Sequence, residues 1–206
     1  MVDRYRIKKD NISNNEISEI VKIHREQISQ GFLTSLGDKA LELLFSFADV
    51  SNSGILIIGI DLEQKNKVCG FILGTGNTNK FFKDFLFSKS LQAVYYLAPR
   101  LLSIKKIRKV IEAIIYPTKS EFQDMPKSEL FDLAILDKYK GKGLAQELFH
   151  EFIDVLRQAN SQAVKITSGS NLHRAHSFYE KLGAQQVSTI EIHSGEDTFV
   201  YIYEIN

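Results

Sequence analysis

Leu130-Phe131-Asp132-Leu133-Ala134-Ile135-Leu136, then Lys138-Tyr139-Lys140-Gly141-Lys142-Gly143, then Leu144-Ala145 opening a run that carries Glu147, Leu148, Phe152 and Leu156: this stretch decides the fold. The first segment is apolar enough for a buried strand. The last repeats its apolar residues at helical spacing. The turn between them, punctuated by glycine, sets several backbone N–H groups in one concave nest at a helix N-terminus. That arrangement binds a phosphate or pyrophosphate. Glycine is required where a phosphate comes close to the main chain, because a Cβ would block the approach. Lys138, Lys140 and Lys142 bring positive charge to the same place. The stretch lacks Gly-Lys-Ser/Thr, so it is not a P-loop, and it lacks Gly-x-Gly-x-x-Gly, so it is not a dinucleotide fingerprint. On its own, Lys-x-x-Gly-x-Gly is equally compatible with a solvated surface turn.

The next fifty residues add a second constraint. Ala163-Val164-Lys165-Ile166-Thr167 reads as a strand and Ser168-Gly169-Ser170-Asn171 as a loop, with Ser170 or Asn171 placed to cap a helix. That helix carries Ala175, Phe178, Tyr179 and Leu182 at i, i+3, i+4 and i+7 and stops at Gly183. Together the two segments resemble the GCN5-related N-acetyltransferase (GNAT) superfamily. Its members place Arg/Gln-x-x-Gly-x-Gly/Ala after the fourth strand, and an Asn followed by Ala-x-x-Phe/Leu-Tyr-x-x-x-Gly after the fifth. Residues 175–183 match that second pattern at every one of its fixed positions. Lys138 stands where the family usually has Arg or Gln, and Asn171 lies four residues before Ala175 where many relatives place it three before. The resemblance is specific over residues 129–184.

The bulk properties agree with a small enzyme. A chain of 206 residues can form one large domain. A net charge of +1 gives no reason to expect nucleic acid as an electrostatic partner. The single cysteine, Cys69, excludes an internal disulfide framework and suits a reducing cytoplasm, the expected location. It lies among small and apolar strand residues and reads as core rather than as a nucleophile. The first ten residues contain no apolar signal core, no uninterrupted apolar run reaches membrane-spanning length, and no metal site is expected.

Upstream, Tyr5 to Lys8 reads as a strand. A helix from Asn14 or Asn15 carries Ile17, Ile20, Val21, His24 and Ile28, and a loop through Phe32 and Leu33 leads to a second helix with Leu41, Leu44, Phe45 and Ala48. Residues 54–60 and 68–74 form a hairpin across Gln64 to Lys67. Val187 to His193 and Phe199 to Glu204 form another, turning at residues 194–197. This element order resembles the acetyltransferase order. It implies an α/β (α+β) domain over residues 1–206: a mixed, mostly antiparallel sheet flanked by helices and splayed around the cofactor.

Residues 79–127 exceed the simplest version of that plan and read as a helical insertion between the third and fourth strands. It holds all three prolines, Pro99, Pro117 and Pro126, and an excess of Lys and Arg such as Lys105, Lys106, Arg108 and Lys109. A basic cover selecting an anionic acceptor, a packing subdomain or homodimer arm, and a membrane-surface element all fit.

The resemblance also implies the chemistry: acetyl-CoA donates its acetyl group directly to a primary amine of a small molecule or peptide. The developing oxyanion needs N–H donors and the departing thiolate a proton. By resemblance, Leu133, Ala134 and Ile135 supply main-chain contacts to the acetyl and pantetheine groups. Lys138 to Ala145 hold the pyrophosphate, Asn171 and Arg174 flank the pantetheine arm, and Tyr179 is the general acid. Tyr179 also lies on the helix face of a core aromatic, and Asn171 at the position of a plain cap. Asp132 and Glu129, on the fourth strand, are candidates for the base; His24, Phe32 and Leu33 fall where the acceptor site is built. The competing class is a non-catalytic acyl-CoA-binding or sensing module.

Overall fold

The computed structural model describes residues 5–28, 33–34, 37–64, 66–88, 125–193 and 196–206. Phe32, residues 89–124 of the insertion and the turn at Ser194-Gly195 lie outside the described residues, so the expectations that rest on them are not addressed by the fold.

The chain opens with β1 (Tyr5–Lys8) and α1 (Asn14–Gln27). The start of α1 follows from its sequence. The Ser13 side chain accepts the Glu16 N–H at 3.3 Å, while the Glu16 carboxylate accepts the Ser13 N–H at 2.7 Å, a reciprocal capping box. α2 (Asp38–Val50) comes next, then the hairpin of β2 (Gly54–Asp61) and β3 (Lys67–Thr75), and a helix over 78–88, α3. β4 (Glu129–Ile135) leads through a short 3-10 turn (Asp137–Tyr139) into α4 (Leu144–Gln158). β5 (Ala163–Gly169), α5 (His173–Leu182), β6 (Gln185–His193) and β7 (Glu196–Glu204) complete the chain.

The seven strands form one sheet in the order β1-β2-β3-β4-β5-β7-β6. Every neighbouring pair is antiparallel except β4 and β5. Period-two alternation divides the hairpin between two cores. Leu56, Ile58, Phe71 and Leu73 face α1 and α2 with Ile20, Leu41 and Phe45. Ile57 and Ile72 face α4, where Leu144, Leu148, Phe149, Phe152 and Leu156 are fully buried. Each such side chain stabilises the fold by about 1.5–3 kcal/mol. α4 lies so close to the sheet that a Cβ on Gly74 would sit 2.6 Å from the Phe152 ring. The first core continues into α3 through an aromatic row: Phe47, Phe81, Phe82 and Phe131 stack at centroid distances of 5.3–5.5 Å.

Several boundaries differ from the sequence reading: β3 takes in Lys67, and β6 begins at Gln185 rather than Val187. β7 begins at Glu196, so Asp197 belongs to the strand rather than to the turn. α5 is capped by neither Ser170 nor Asn171: its N-cap residue is Leu172, with no side-chain cap. Asn171 is instead exposed, with its Oδ1 beside Gly169. The segment is fixed by His176, whose Nε2 lies 2.9 Å from the Gly169 carbonyl oxygen while its ring packs on Phe199 and Tyr201.

Candidate active site

β4 and β5 pair only at Glu129↔Lys165 and Leu130↔Ile166. Beyond those rungs the strands part, and Leu133, Ala134 and Ile135 have no partner in β5. The β3–β4 ladder slips between Leu73↔Asp132 and Gly74↔Leu130, which makes Phe131 a bulge. The bulge therefore precedes residues 133–135. The Leu136 N–H donates to the Cys69 carbonyl of β3 at 3.0 Å. Main-chain groups alternate sides along a strand, so the N–H groups of Leu133 and Ile135 turn the other way, into the gap.

At the same end of β4 stands the glycine turn. Gly141 and Gly143 have φ of +74° and +91°, in the left-handed region that favours glycine. Gly143 is the N-cap of α4 and offers no side-chain cap, so the first-turn N–H groups, starting with Leu144 and Ala145, stay available at the positive end of the helix. A Cβ on Gly141 would meet nothing within 4 Å, and one on Gly143 only the Tyr5 hydroxyl at 3.7 Å. Among the described residues, neither glycine is demanded by packing against another part of the chain. A cradle built this way fits a pyrophosphate.

The turn is held from both sides by Tyr5 of β1 and Asp61 of β2, neither of which the sequence reading assigned to the site. The Tyr5 hydroxyl donates to the Lys142 carbonyl at 3.2 Å and lies 3.1 Å from the Glu147 carboxylate. Buried Tyr139 donates its hydroxyl to Asp61 at the end of β2. That bond, with the amides of Glu63 and Gln64, holds the Asp61 carboxyl below the usual carboxylate range. The only local signal was an Asp at a strand end before a turn, which names no partner. The lysines divide: Lys138 reaches Gln64 at 2.8 Å and lies 4.5 Å over the Tyr139 ring, Lys140 pairs with Gln27 and Asp137, and Lys142 lies 5.8 Å from the Tyr139 ring. Arg174, exposed on α5, is close enough to help Lys140 lower the Asp137 carboxyl, which puts it near the glycine turn.

Tyr179 is buried beside Phe149, Phe178 and Tyr201. Its phenol is pushed well above the ordinary tyrosine range, first by desolvation and then by the nearby charge of Asp132, so it keeps its proton at neutral pH. The two β4 carboxylates occupy different settings. Glu129, at the closed end of the gap, accepts from Thr78 at 2.9 Å and lies 3.1 Å from the Lys165 ammonium. Asp132, beyond the bulge, faces His24 of α1 at 3.3 Å, and burial raises its carboxyl. His24, expected from the sequence near the acceptor, has no exposed surface: the apolar stripe of α1 takes it into the core, against Phe45 and Phe71. Leu33 is half-buried against the same core. Cys69 is buried, and desolvation pushes its thiol up to about 12, which fits a core residue.

The sheet is thus mixed and splayed at its parallel pair, with an uncapped helix N-terminus at the mouth of the splay. The sequence profile of the acetyltransferase (GNAT) family matches residues 18–184, and the chain belongs to that family. N-alpha-acetyltransferase 30 of Schizosaccharomyces pombe is 32% identical over 72 residues, 34% of this chain and 48% of that protein. The chain thus spans about half the length of this curated relative. Among solved structures, Arabidopsis thaliana NAA60 in complex with a bisubstrate analogue is similar over 98% of this chain and 99% of that chain, with a TM-score of 0.61 at 13% identity. The ribosomal-protein-S18-alanine N-acetyltransferase of Escherichia coli is similar over 98% and 94%, with a TM-score of 0.59 at 12% identity. At such identities the structural likeness is one of fold. Among the described residues no helix is long and apolar enough to cross a membrane.

Proposed function

We propose that the protein transfers an acetyl group from acetyl-CoA to the α-amine of a peptide or protein N-terminus, by direct attack with both substrates bound. The observation that carries the transfer is the β4–β5 gap, which the main-chain N–H groups of Leu133 and Ile135 face and which has the glycine turn at its mouth. The choice of an N-terminal amine rests on the resemblance to N-alpha-acetyltransferase 30 over 72 residues. Acetyl-CoA supplies the activated thioester. The turn from Lys138 to Ala145 holds its pyrophosphate through backbone N–H groups of the glycine nest and the α4 N-terminus. The N–H groups of Leu133 and Ile135 face the acetyl carbonyl and stabilise the charge that develops on its oxygen. Asn171 and Arg174 flank the pantetheine arm. Tyr179 gives its proton to the departing sulfur, and its burial keeps that proton in place until then. Glu129, engaged by Lys165 and Thr78, ties the closed end of the gap together.

The test is thiol release from acetyl-CoA by the purified protein, run against peptides with free and blocked N-termini, amino sugars and polyamines. Acetylation confined to free peptide N-termini is expected. Turnover with sugars or polyamines alone would refute the choice of acceptor. Turnover with no amine, despite bound CoA, would refute transfer itself.

A further inference from the structure

The His24–Asp132 pair is poorly explained as architecture. His24 is fully buried and the Asp132 side chain is 9% exposed. Both imidazole nitrogens of His24 and the Oδ2 of Asp132 lack an aligned hydrogen-bond partner among the described residues. The ring lies in an apolar cage, stacked on Phe71 at 6.4 Å and edge-on to Phe45 at 6.1 Å. Polar groups left in this condition destabilise a fold, and two apolar side chains of similar size would hold α1 to the sheet better. Their place relative to the gap gives them another use. Asp132 is the first residue past the Phe131 bulge and the less deeply buried member of the pair, and its charge is felt by Tyr179.

We propose that Asp132 is the base that takes the proton from the acceptor's ammonium, and that His24 is the positioning residue that sets its proton affinity. This rests on the acetyl-transfer reading above. The ammonium gives one proton to the Asp132 carboxylate, and the freed lone pair forms the N–C bond as the C–S bond breaks. The sulfur takes the proton of Tyr179, the new amide nitrogen returns a second proton to that phenolate, and Asp132 later releases its proton to solvent. Two protons leave nitrogen, one ends on sulfur and one in water. The Asp132 carboxyl is charged before proton uptake and neutral after it, and it sits in a buried setting, so burial itself favours the transfer. Among the described residues, His24 of α1 faces the carboxylate, Tyr179 of α5 feels its charge, and Glu129, three residues back along β4, is paired with Lys165 of β5. α2 and β3 present Phe45, Phe71 and Leu73.

Two variants and one spectroscopic measurement test this. Asp132→Asn keeps volume and shape; it is expected to lower kcat about a hundredfold or more while acetyl-CoA affinity stays unchanged. His24→Phe fits between the rings of Phe45 and Phe71 and leaves Asp132 without its partner. The acidic limb of the kcat/KM profile is then expected to move to higher pH, with acetyl-CoA affinity unchanged. A merely structural pair would lower thermal stability without moving that limb. Wild-type kcat in Asp132→Asn, or an unmoved limb in a folded His24→Phe, overturns the proposal. The His24 imidazole resonances, followed from about pH 5 to about pH 9 in free wild type and in Asp132→Asn, read the coupling without turnover. A titration that does not change on removing the carboxylate overturns it as well. Failure of the wild type on every amine would instead fall on the acetyl-transfer reading.

Discussion

Replacing Gly143 by valine separates the energetics of the phosphate nest from those of the fold. Gly143 has φ of +91° as the N-cap of α4, a conformation that costs a residue with a Cβ about 1–2 kcal/mol and a β-branched one at the upper end of that range. No steric cost adds to this, because the new Cβ meets only the Tyr5 hydroxyl at 3.7 Å. Set against a typical stability of about 5–15 kcal/mol, the variant folds. At about 2–4 °C per kcal/mol for a chain of this size, its Tm falls by roughly 2–8 °C. The ligand fares worse. The isopropyl group fills space that the pyrophosphate uses, and each charge-assisted N–H bond lost costs about 1.5–3 kcal/mol, a rise of roughly ten- to a hundredfold in Kd. Gly183 provides the control. Its φ is +102° at the C-terminal end of α5, and a Cβ there meets nothing within 4 Å, so Gly183→Val carries the same backbone cost away from the nest. Calorimetry with CoA, with scanning calorimetry for Tm, should find both variants similarly destabilised and only Gly143→Val impaired in binding. Acetyl-pantetheine, which lacks the pyrophosphate, should bind wild type and Gly143→Val alike. A folded Gly143→Val with wild-type CoA affinity, or an equal loss in Gly183→Val, refutes the nest.

Tyr179→Phe keeps the ring against Phe149 and Tyr201 and removes the proton; kcat should fall about a hundredfold with little change in Kd for acetyl-CoA, and wild-type turnover would reduce Tyr179 to a core aromatic. Lys165→Met leaves the Glu129 carboxylate buried without its cation and should cost about 3–5 kcal/mol in urea unfolding, much of it recovered in the double variant with Glu129→Leu; a loss below about 1 kcal/mol would show that the pair does not hold the strands. The Cys69 thiol, raised from 9.0 to about 12 in the folded protein, should resist iodoacetamide at neutral pH until urea is added. Because the unfolded chain loses that proton first, the thiol's contribution to stability is full below pH 9 and is lost as pH rises toward 12; prompt labelling of the native protein would contradict the burial.

What could be read from the sequence was local. Helical spacing from Leu144 to Leu156 and from Ala175 to Leu182 marks two helices because each buries one face. The glycines of the turn are legible because positive φ is a property of single residues. Interactions between distant parts of the chain left no such trace. Tyr139 reaches Asp61 and Tyr5 reaches Lys142, both between segments far apart in the chain, and nothing in either neighbourhood specifies the other. His24 is the instructive case. Its spacing with Ile17, Ile20 and Val21 already placed it on the buried stripe of α1, and that pattern outweighs its polarity as a guide to where it lies. The cap of α5 failed for a related reason. Several residues before the helix could cap it, and the choice was made by the His176 contact with Gly169, formed only once α5 lies against β7.

The location of the site follows from the one parallel pair in the sheet. Parallel neighbours cannot be joined by a tight turn, so β4 must reach β5 through a crossover helix, and the start of that helix stands at the C-terminal end of β4. The same pair is where the sheet divides. β5 is paired to β7 along its whole length, from Ala163↔Glu204 to Gly169↔Thr198, and β4 is paired to β3 as far as Gly70↔Ile135. Each strand is therefore committed to its own half of the sheet. The Phe131 bulge bends β4 and increases its twist immediately after Leu130, which is where pairing with β5 ends. Phe131 itself is held by the rings of Phe81 and Phe82, so the bend is anchored in the first core. The opening, its N–H lining and the helix N-terminus at its mouth are thus three consequences of one connection, and the carboxylate of Asp132 and the phenol of Tyr179 are set beside it by the bend and by the face that α5 buries.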